Sequence, residues 1–142
     1  MTRFTPHALA ALRIVAGYLF LAHGTTKIFQ APYIEMFANV PLASLAGVAG
    51  VLEIVGGALL IAGAFTRPVA FVLSGMMAVA YFIAHASQSN ALLPILNGGE
   101  LAALYSFVFL FISTAGPGSF ALDNVRGKAR IASPGIQQTR SA

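Results

Sequence analysis

The chain contains four long runs of apolar residues, each close to the length that a helix needs to cross a lipid bilayer. A hydrocarbon core about 30 Å thick requires about 20 mostly apolar helical residues. The runs are continuous rather than alternating, which argues against the strands of a membrane β-barrel. They cover residues 9–29, 42–65, 69–86 and 99–115. The sequence therefore predicts an all-α fold, an integral membrane four-helix up-down bundle.

Charged residues are too scarce to cover the surface of a soluble protein. They make up 8% of the 142 residues, and 58% of the residues are hydrophobic, whereas soluble domains carry about 25% charged residues. The net charge of +4 comes from basic residues that flank the apolar runs, so it does not indicate nucleic-acid binding. The chain has no cysteine, which excludes disulfides, thiolate nucleophiles and iron–sulfur ligation within it.

The distribution of basic residues predicts an orientation. Seven of the eight lysines and arginines lie at the termini or in the second connection, and only Lys27 lies towards the opposite face. Because basic residues collect on the cytoplasmic side, we expect both termini to be cytoplasmic. A cleaved signal peptide is disfavoured because Arg13 interrupts the first apolar run. Residues 1–123 form the predicted bundle, and the polar residues 124–142 are expected to be a disordered cytoplasmic tail.

Polar residues follow one face of the first predicted span. At 100° per residue, Arg13, His23 and Lys27 share a stripe with Gly17 and Gly24. The presence of Arg13 alone, or of Lys27 alone, is explained if its long side chain extends to the nearer membrane surface. It does not explain why they share a stripe with a histidine and two glycines.

Glu53 lies near the middle of the second predicted span, about 18 Å along the helix from either end. A charge at that depth needs a partner or a function. One alternative is a protonated carboxyl group that is hydrogen-bonded to a backbone carbonyl. The other is a carboxylate paired with Arg13, Lys27 or His23.

The third and fourth spans carry further polar residues. Tyr81 and His85 share a face of the third, and Asn97 followed by Glu100 is typical of a capping box at the start of the fourth. Because the helices alternate in direction, these groups are expected in the same outer leaflet as the end of the first span. The sequence predicts one ligand-binding pocket there, formed by His23, Lys27, Glu53, Tyr81, His85 and Glu100. Glu53, His85 and Glu100 are its catalytic candidates, and no metal is expected.

A second group of charged residues lies towards the cytoplasmic side. Arg13, Arg67 and Asp123 fall at that level on three different segments. We expect them to form structural ion pairs that hold the inner end of the bundle together.

The motifs resemble those of the DoxX family over about residues 8 to 124. The similar segments are Arg13-Ile14 with Gly17, His23-Gly24 with Lys27-Ile28, Glu53 before Gly56-Gly57, Asn97-Gly98-Gly99-Glu100 and Leu122-Asp123. The resemblance implies a four-helix protein of the bacterial inner membrane. The family is named after a subunit of an archaeal thiosulfate:quinone oxidoreductase, and some members are linked to oxidative-stress or quinone and catechol responses. Its members differ in activity, so the fold transfers more safely than the chemistry.

Three functions fit these observations. The first is a redox-linked subunit that binds a quinone or a similar small molecule, with His23, His85 and Lys27 as donors and Glu53 or Glu100 as a proton relay; whether it is itself an enzyme stays open. The second is a non-catalytic membrane scaffold or assembly partner, and the third is a small-solute or proton-coupled transporter.

Quinone is the expected cofactor, and haem, iron–sulfur clusters and metals are not expected. The expected partners are the lipid bilayer, a soluble or membrane redox protein and further copies of the chain, with no nucleic acid.

Overall fold

The computed structural model describes residues 3–87 and 90–125, and all regular secondary structure in these ranges is helical. The main helices are α1 (Thr5–Phe29), α2 (Leu45–Ala62), α3 (Thr66–Ala80), the short α4 (Pro94–Asn97) and α5 (Glu100–Ala115). A 3₁₀ turn, Glu35–Phe37, lies between α1 and α2, and a π-helical segment, Tyr81–Ala86, continues α3. The all-α prediction is confirmed. The disordered tail is predicted over residues 124–142, and residues 126–142 of it lie outside the described residues.

Within the described residues, three helical segments are long and apolar enough to cross a membrane, namely Thr5–Phe29, Leu45–Ala62 and Thr66–Ala86. The fourth predicted span corresponds to α5, an apolar helix of 16 residues, about 24 Å long. Large apolar side chains cover the outside of the molecule, such as Val15, Phe71 and Phe107, each more than half exposed. Soluble proteins rarely show apolar surface on this scale. The chain is therefore a membrane protein.

Helices α1 and α2 pack closely and antiparallel through glycines. A Cβ atom on Gly24 would lie 2.7 Å from the carbonyl oxygen of Gly50, and one on Gly57 would lie 2.6 Å from that of Gly17. Residues late in α1 thus face residues early in α2. The stripe of small residues allows the two backbones to approach closely, as at many helix interfaces in membranes.

Helices α3 and α5 form the second closely packed antiparallel pair. The hydroxyl of Ser74 on α3 donates to the carbonyl oxygen of Ser106 on α5 at 2.8 Å. The ring of Phe20 on α1 packs edge-on against Tyr105 and Phe109 of α5, at centroid distances of 4.9 and 4.6 Å. These aromatic contacts join the two pairs in a single buried core.

The start of the fourth predicted span differs from the capping box expected from the sequence. Gly98, with φ of 68°, ends the short helix α4, and Gly99 is the N-cap of α5. Asn97 therefore belongs to the preceding turn, where its side-chain oxygen accepts a hydrogen bond from the backbone N–H of Gly99 at 2.8 Å. Glu100 is the first residue of α5 rather than its third, because the left-handed glycine separates it from Asn97.

Candidate functional site

A cavity of about 400 Å³ lies among the end of α1, the start of α2, the end of α3 and the start of α5. Most of its wall is apolar and aromatic, and it includes Phe20, Met76 and Met77. Met36 and Phe37 of the 3₁₀ turn close part of it. Four ionisable side chains from the predicted pocket line it, namely His23, Lys27, Glu53 and His85. We call this space the polar cavity.

The strongest polar contact in the cavity joins Lys27 to Glu53. The Nζ atom of Lys27 lies 2.6 Å from Oε1 of Glu53, and the two side chains are 14% and 6% exposed. Of the three partners that the sequence left open for Glu53, the structure selects Lys27. The ammonium group also lies 5.4 Å from the centroid of the Phe37 ring, within reach of a cation–π attraction. The two buried charges therefore compensate each other on the cavity wall.

The other carboxylate oxygen of Glu53 has no partner. Oε2 is buried and makes no hydrogen bond with any described residue. Buried polar atoms are nearly always hydrogen-bonded in folded proteins. Oε2 is therefore an unsatisfied polar atom of a residue that lines the polar cavity.

His85 is held in a defined orientation at the π-helical end of α3. Its Nδ1 lies 3.1 Å from the carbonyl oxygen of Asn97. Because a carbonyl only accepts, Nδ1 carries a proton and donates it in this contact. The Tyr81 ring stacks on the imidazole at a centroid distance of 6.4 Å, and its hydroxyl donates to the carbonyl oxygen of Ala91 at 2.7 Å. Tyr81 thus lies behind His85 and is not part of the cavity wall.

Two further polar groups line the cavity without a hydrogen-bond partner among the described residues. His23 is half-buried on α1, close enough to Glu53 for electrostatic attraction. Tyr105 on α5 is 7% exposed and packs against Phe20. The sequence analysis missed Tyr105 because a tyrosine within an apolar run is typical of a packed core. Its position five residues after the start of α5, one turn beyond the small buried Ala102, was the available signal.

Glu100 does not join the predicted pocket. It is exposed at the beginning of α5 and lies outside the cavity wall. The residues of this helix that face the cavity are Leu101, Ala102 and Tyr105. Helix α5 begins directly after α4 and the Gly98 turn, and in its rotation Glu100 faces outwards.

The opposite end of the molecule contains a buried arginine that caps a helix. Arg13 is completely buried, and its guanidinium group donates to five backbone carbonyl oxygens; its Nε lies 2.8 Å from that of Pro117. The other four belong to Leu60 and Ile61 at the end of α2, and to Ser119 and Phe120 after α5. The last carbonyls of a helix lack partners within it and favour a nearby cation. Arg13 therefore ties α1, α2 and the segment after α5 together.

The hydrogen bonds of Arg67 and Asp123 show the same principle, and the charge of Asp123 also acts on the nearby Arg13. Arg67 donates to the carbonyl oxygens of Ser113 and Thr114 near the end of α5, at 3.1 and 2.5 Å. The Asp123 carboxylate accepts from the backbone N–H groups of Phe65 and Thr66 at the start of α3, at 2.8 and 2.9 Å. Unpaired backbone groups are concentrated at helix ends, so these charged side chains bond to the backbone.

Apolar helices of membrane-spanning length around a mostly apolar cavity define a helical membrane protein with an internal cavity. The comparisons with known proteins identify its family. The DoxX family model matches residues 8–86. An uncharacterized protein of Haemophilus influenzae is 48% identical over 126 residues, which cover 87% of this chain and 94% of that protein. The chain belongs to the DoxX family. No solved structure matches it.

Proposed function

We propose that this DoxX protein is the membrane subunit of a redox system and binds a quinone or a similar small ring compound in the polar cavity. The observation that carries the proposal is the combination of an aromatic, apolar wall with the buried Lys27–Glu53 pair. Small-molecule sites have volumes of roughly 300–1,000 Å³ and combine apolar walls with a few polar groups. The cavity, at about 400 Å³, is within this range.

The cavity contains the groups that a ring with two oxygen substituents requires. Lys27 has two N–H donors beyond the one directed at Glu53, and the Tyr105 hydroxyl is free among the described residues to donate. Glu53 and His85 can exchange protons with a bound oxygen atom. His23 can either donate a hydrogen bond to that atom or exchange a proton with it. Phe20 and Tyr105 present aromatic surface to the ring. Glu100 has no role in this proposal, since it lies outside the wall.

In this proposal the chain is a four-span up-down bundle of the bacterial inner membrane, with both termini in the cytoplasm. The positive-inside rule supports the orientation, because seven of the eight basic residues then lie on the cytoplasmic side. The antiparallel pairs α1–α2 and α3–α5 support the topology. The polar cavity then lies in the outer half of the membrane. A redox partner protein, or another copy of the chain, binds to the exposed apolar surface.

Equilibrium dialysis of the purified protein in detergent against tetramethyl-1,4-benzoquinone tests the proposal, with empty micelles as the blank. We expect saturable binding with one site per chain. Ala84 lines the cavity, so Ala84→Phe places a large ring in it. Ile83→Phe is the control, because Ile83 is exposed on the same segment but does not line the cavity. Binding should disappear in the first variant and persist in the second. Absence of saturable binding, or equal binding by the two variants, would contradict the proposal and favour a scaffold.

A further inference from the structure

The hydrogen-bonding groups of the cavity distinguish between the two redox forms of a ring ligand. A quinone carries two carbonyl oxygens, which only accept hydrogen bonds. Its reduced form carries two hydroxyl groups, which donate as well as accept. The two forms are nearly equal in size and shape. Selection between them must therefore come from the donors and acceptors of the wall.

Among these groups, the unpartnered oxygen of Glu53 has the greatest need of a hydrogen-bond donor. The residue is 4% exposed, and Lys27 occupies only Oε1. The short contact with a buried ammonium group favours the ionised carboxylate, so Oε2 is an acceptor with no hydrogen of its own. A hydroxyl group can donate to it, whereas a carbonyl oxygen placed there would face an anion and leave two acceptors unsatisfied.

His85 acts in the same direction. Its Nδ1 proton is committed to the carbonyl oxygen of Asn97, so Nε2 is the ring nitrogen that remains for a ligand. Stacking by Tyr81 keeps the imidazole in this orientation. Oε2 of Glu53 and Nε2 of His85 therefore both remain for a hydroxyl group of the ligand. A bound hydroxyl can satisfy one of them and still accept from Lys27 or Tyr105.

We propose that the polar cavity holds its ligand through a hydroxyl group that donates to Oε2 of Glu53, and that it therefore binds the reduced, dihydroxy form of an aromatic ring more tightly than the oxidised dione. This inference rests on the proposed function, because it concerns the redox state and contact atoms of the ligand in that cavity.

Three compounds with the same tetramethyl-substituted ring test it under anaerobic dialysis with the full-length protein in detergent. They are tetramethyl-1,4-benzoquinone, its hydroquinone and the dimethyl ether of that hydroquinone, which has the reduced ring but no donor. We expect the hydroquinone to bind at least about tenfold more tightly than the other two, since a hydrogen bond to a charged group is lost in both. Equal affinities for hydroquinone and dimethyl ether would overturn the inference without any variant.

Glu53→Gln provides the matched variant. The amide oxygen can still accept from Lys27, and its NH₂ group then replaces Oε2 as a donor. We expect the preference for the hydroquinone over the quinone to fall below about threefold or to reverse, because the wall has lost its acceptor there. An unchanged preference in this variant would overturn the assignment to Glu53, and so would tighter binding of the quinone by the wild-type protein.

The outcomes separate the two proposals. Saturable binding of both redox forms with equal affinity, abolished by Ala84→Phe, would support the cavity as the site and refute only the preference for the hydroxyl form. Failure of all three compounds to bind would refute both. If Glu53→Gln does not fold, the affinities of the wild-type protein for the hydroquinone, the quinone and the dimethyl ether decide: the inference requires the hydroquinone to bind more tightly than both.

Discussion

The ammonium group of Lys27 lies 2.6 Å from the Glu53 carboxylate, and both side chains are almost fully buried within the helical bundle. Lys27 belongs to the last turn of α1, and Glu53 to the middle of α2. The long lysine side chain thus extends along the interface towards the bundle interior instead of the membrane surface. The pair places opposite charges in the wall of the polar cavity, where each compensates the desolvation of the other.

Removal of one member of this pair should harm the protein more than removal of both. Lys27→Met and Glu53→Leu each leave one uncompensated buried charge, which is expected to lower the free energy of unfolding by about 3–5 kcal/mol. The double variant should lose less than either single variant, since two apolar side chains need no compensation. Unfolding in mixed micelles measures all three. Additive losses would show that the two groups do not stabilise each other.

Arg13 should be among the most sensitive positions of the molecule. Arg13→Met removes the donor from five carbonyl oxygens, and we expect the free energy of unfolding to fall by about 3 kcal/mol or more. Arg13→Lys should restore only part of it, because an ammonium group has three donors and no planar fork. Arg67→Met is the control, since Arg67 also caps a helix but is exposed; its loss should not exceed about 1 kcal/mol. Equal losses for the two methionine variants would contradict the conclusion that Arg13 holds α1, α2 and the segment after α5 together.

The contact between α1 and α2 should not tolerate a methyl group. In Gly24→Ala the added Cβ would lie 2.7 Å from the carbonyl oxygen of Gly50, so the helices must separate, at a loss of about 1–3 kcal/mol. Gly75→Ala is the matched control within α3, because nothing lies within 4 Å of its added Cβ. It should stabilise the helix by about 0.5–1 kcal/mol. Thermal unfolding in detergent compares the two, and a neutral Gly24→Ala would show that the approach is looser than described.

The orientation in the membrane can be measured directly, because the chain has no cysteine of its own. Leu92→Cys lies in the connection before α4 and is 92% exposed as leucine, and Val125→Cys lies near the predicted cytoplasmic end and is 65% exposed as valine. A thiol reagent that cannot cross the inner membrane should label the first in intact spheroplasts and the second only after permeabilisation. The reverse pattern would invert the proposed topology.

Local properties of the sequence were enough to predict the helices and their environment. Continuous apolar runs determined where α1, α2 and the Thr66–Ala86 segment form and that they cross a membrane, because the bilayer requires backbone hydrogen bonds to be satisfied within each segment. The cost of a buried charge was sufficient to single out Glu53 as a group that needs a partner. These conclusions depend on composition and on the 3.6-residue period alone.

The tertiary structure decided which polar groups meet, since that depends on how each helix is rotated and how closely it approaches its neighbours. Glycine contacts between α1 and α2 bring Lys27 to Glu53 instead of His23 or Arg13. On α5, Glu100 faces away from the cavity and Tyr105 lines it. Contacts between residues far apart in the chain set these rotations, and helical periodicity specifies a face of each helix without specifying what that face will contact.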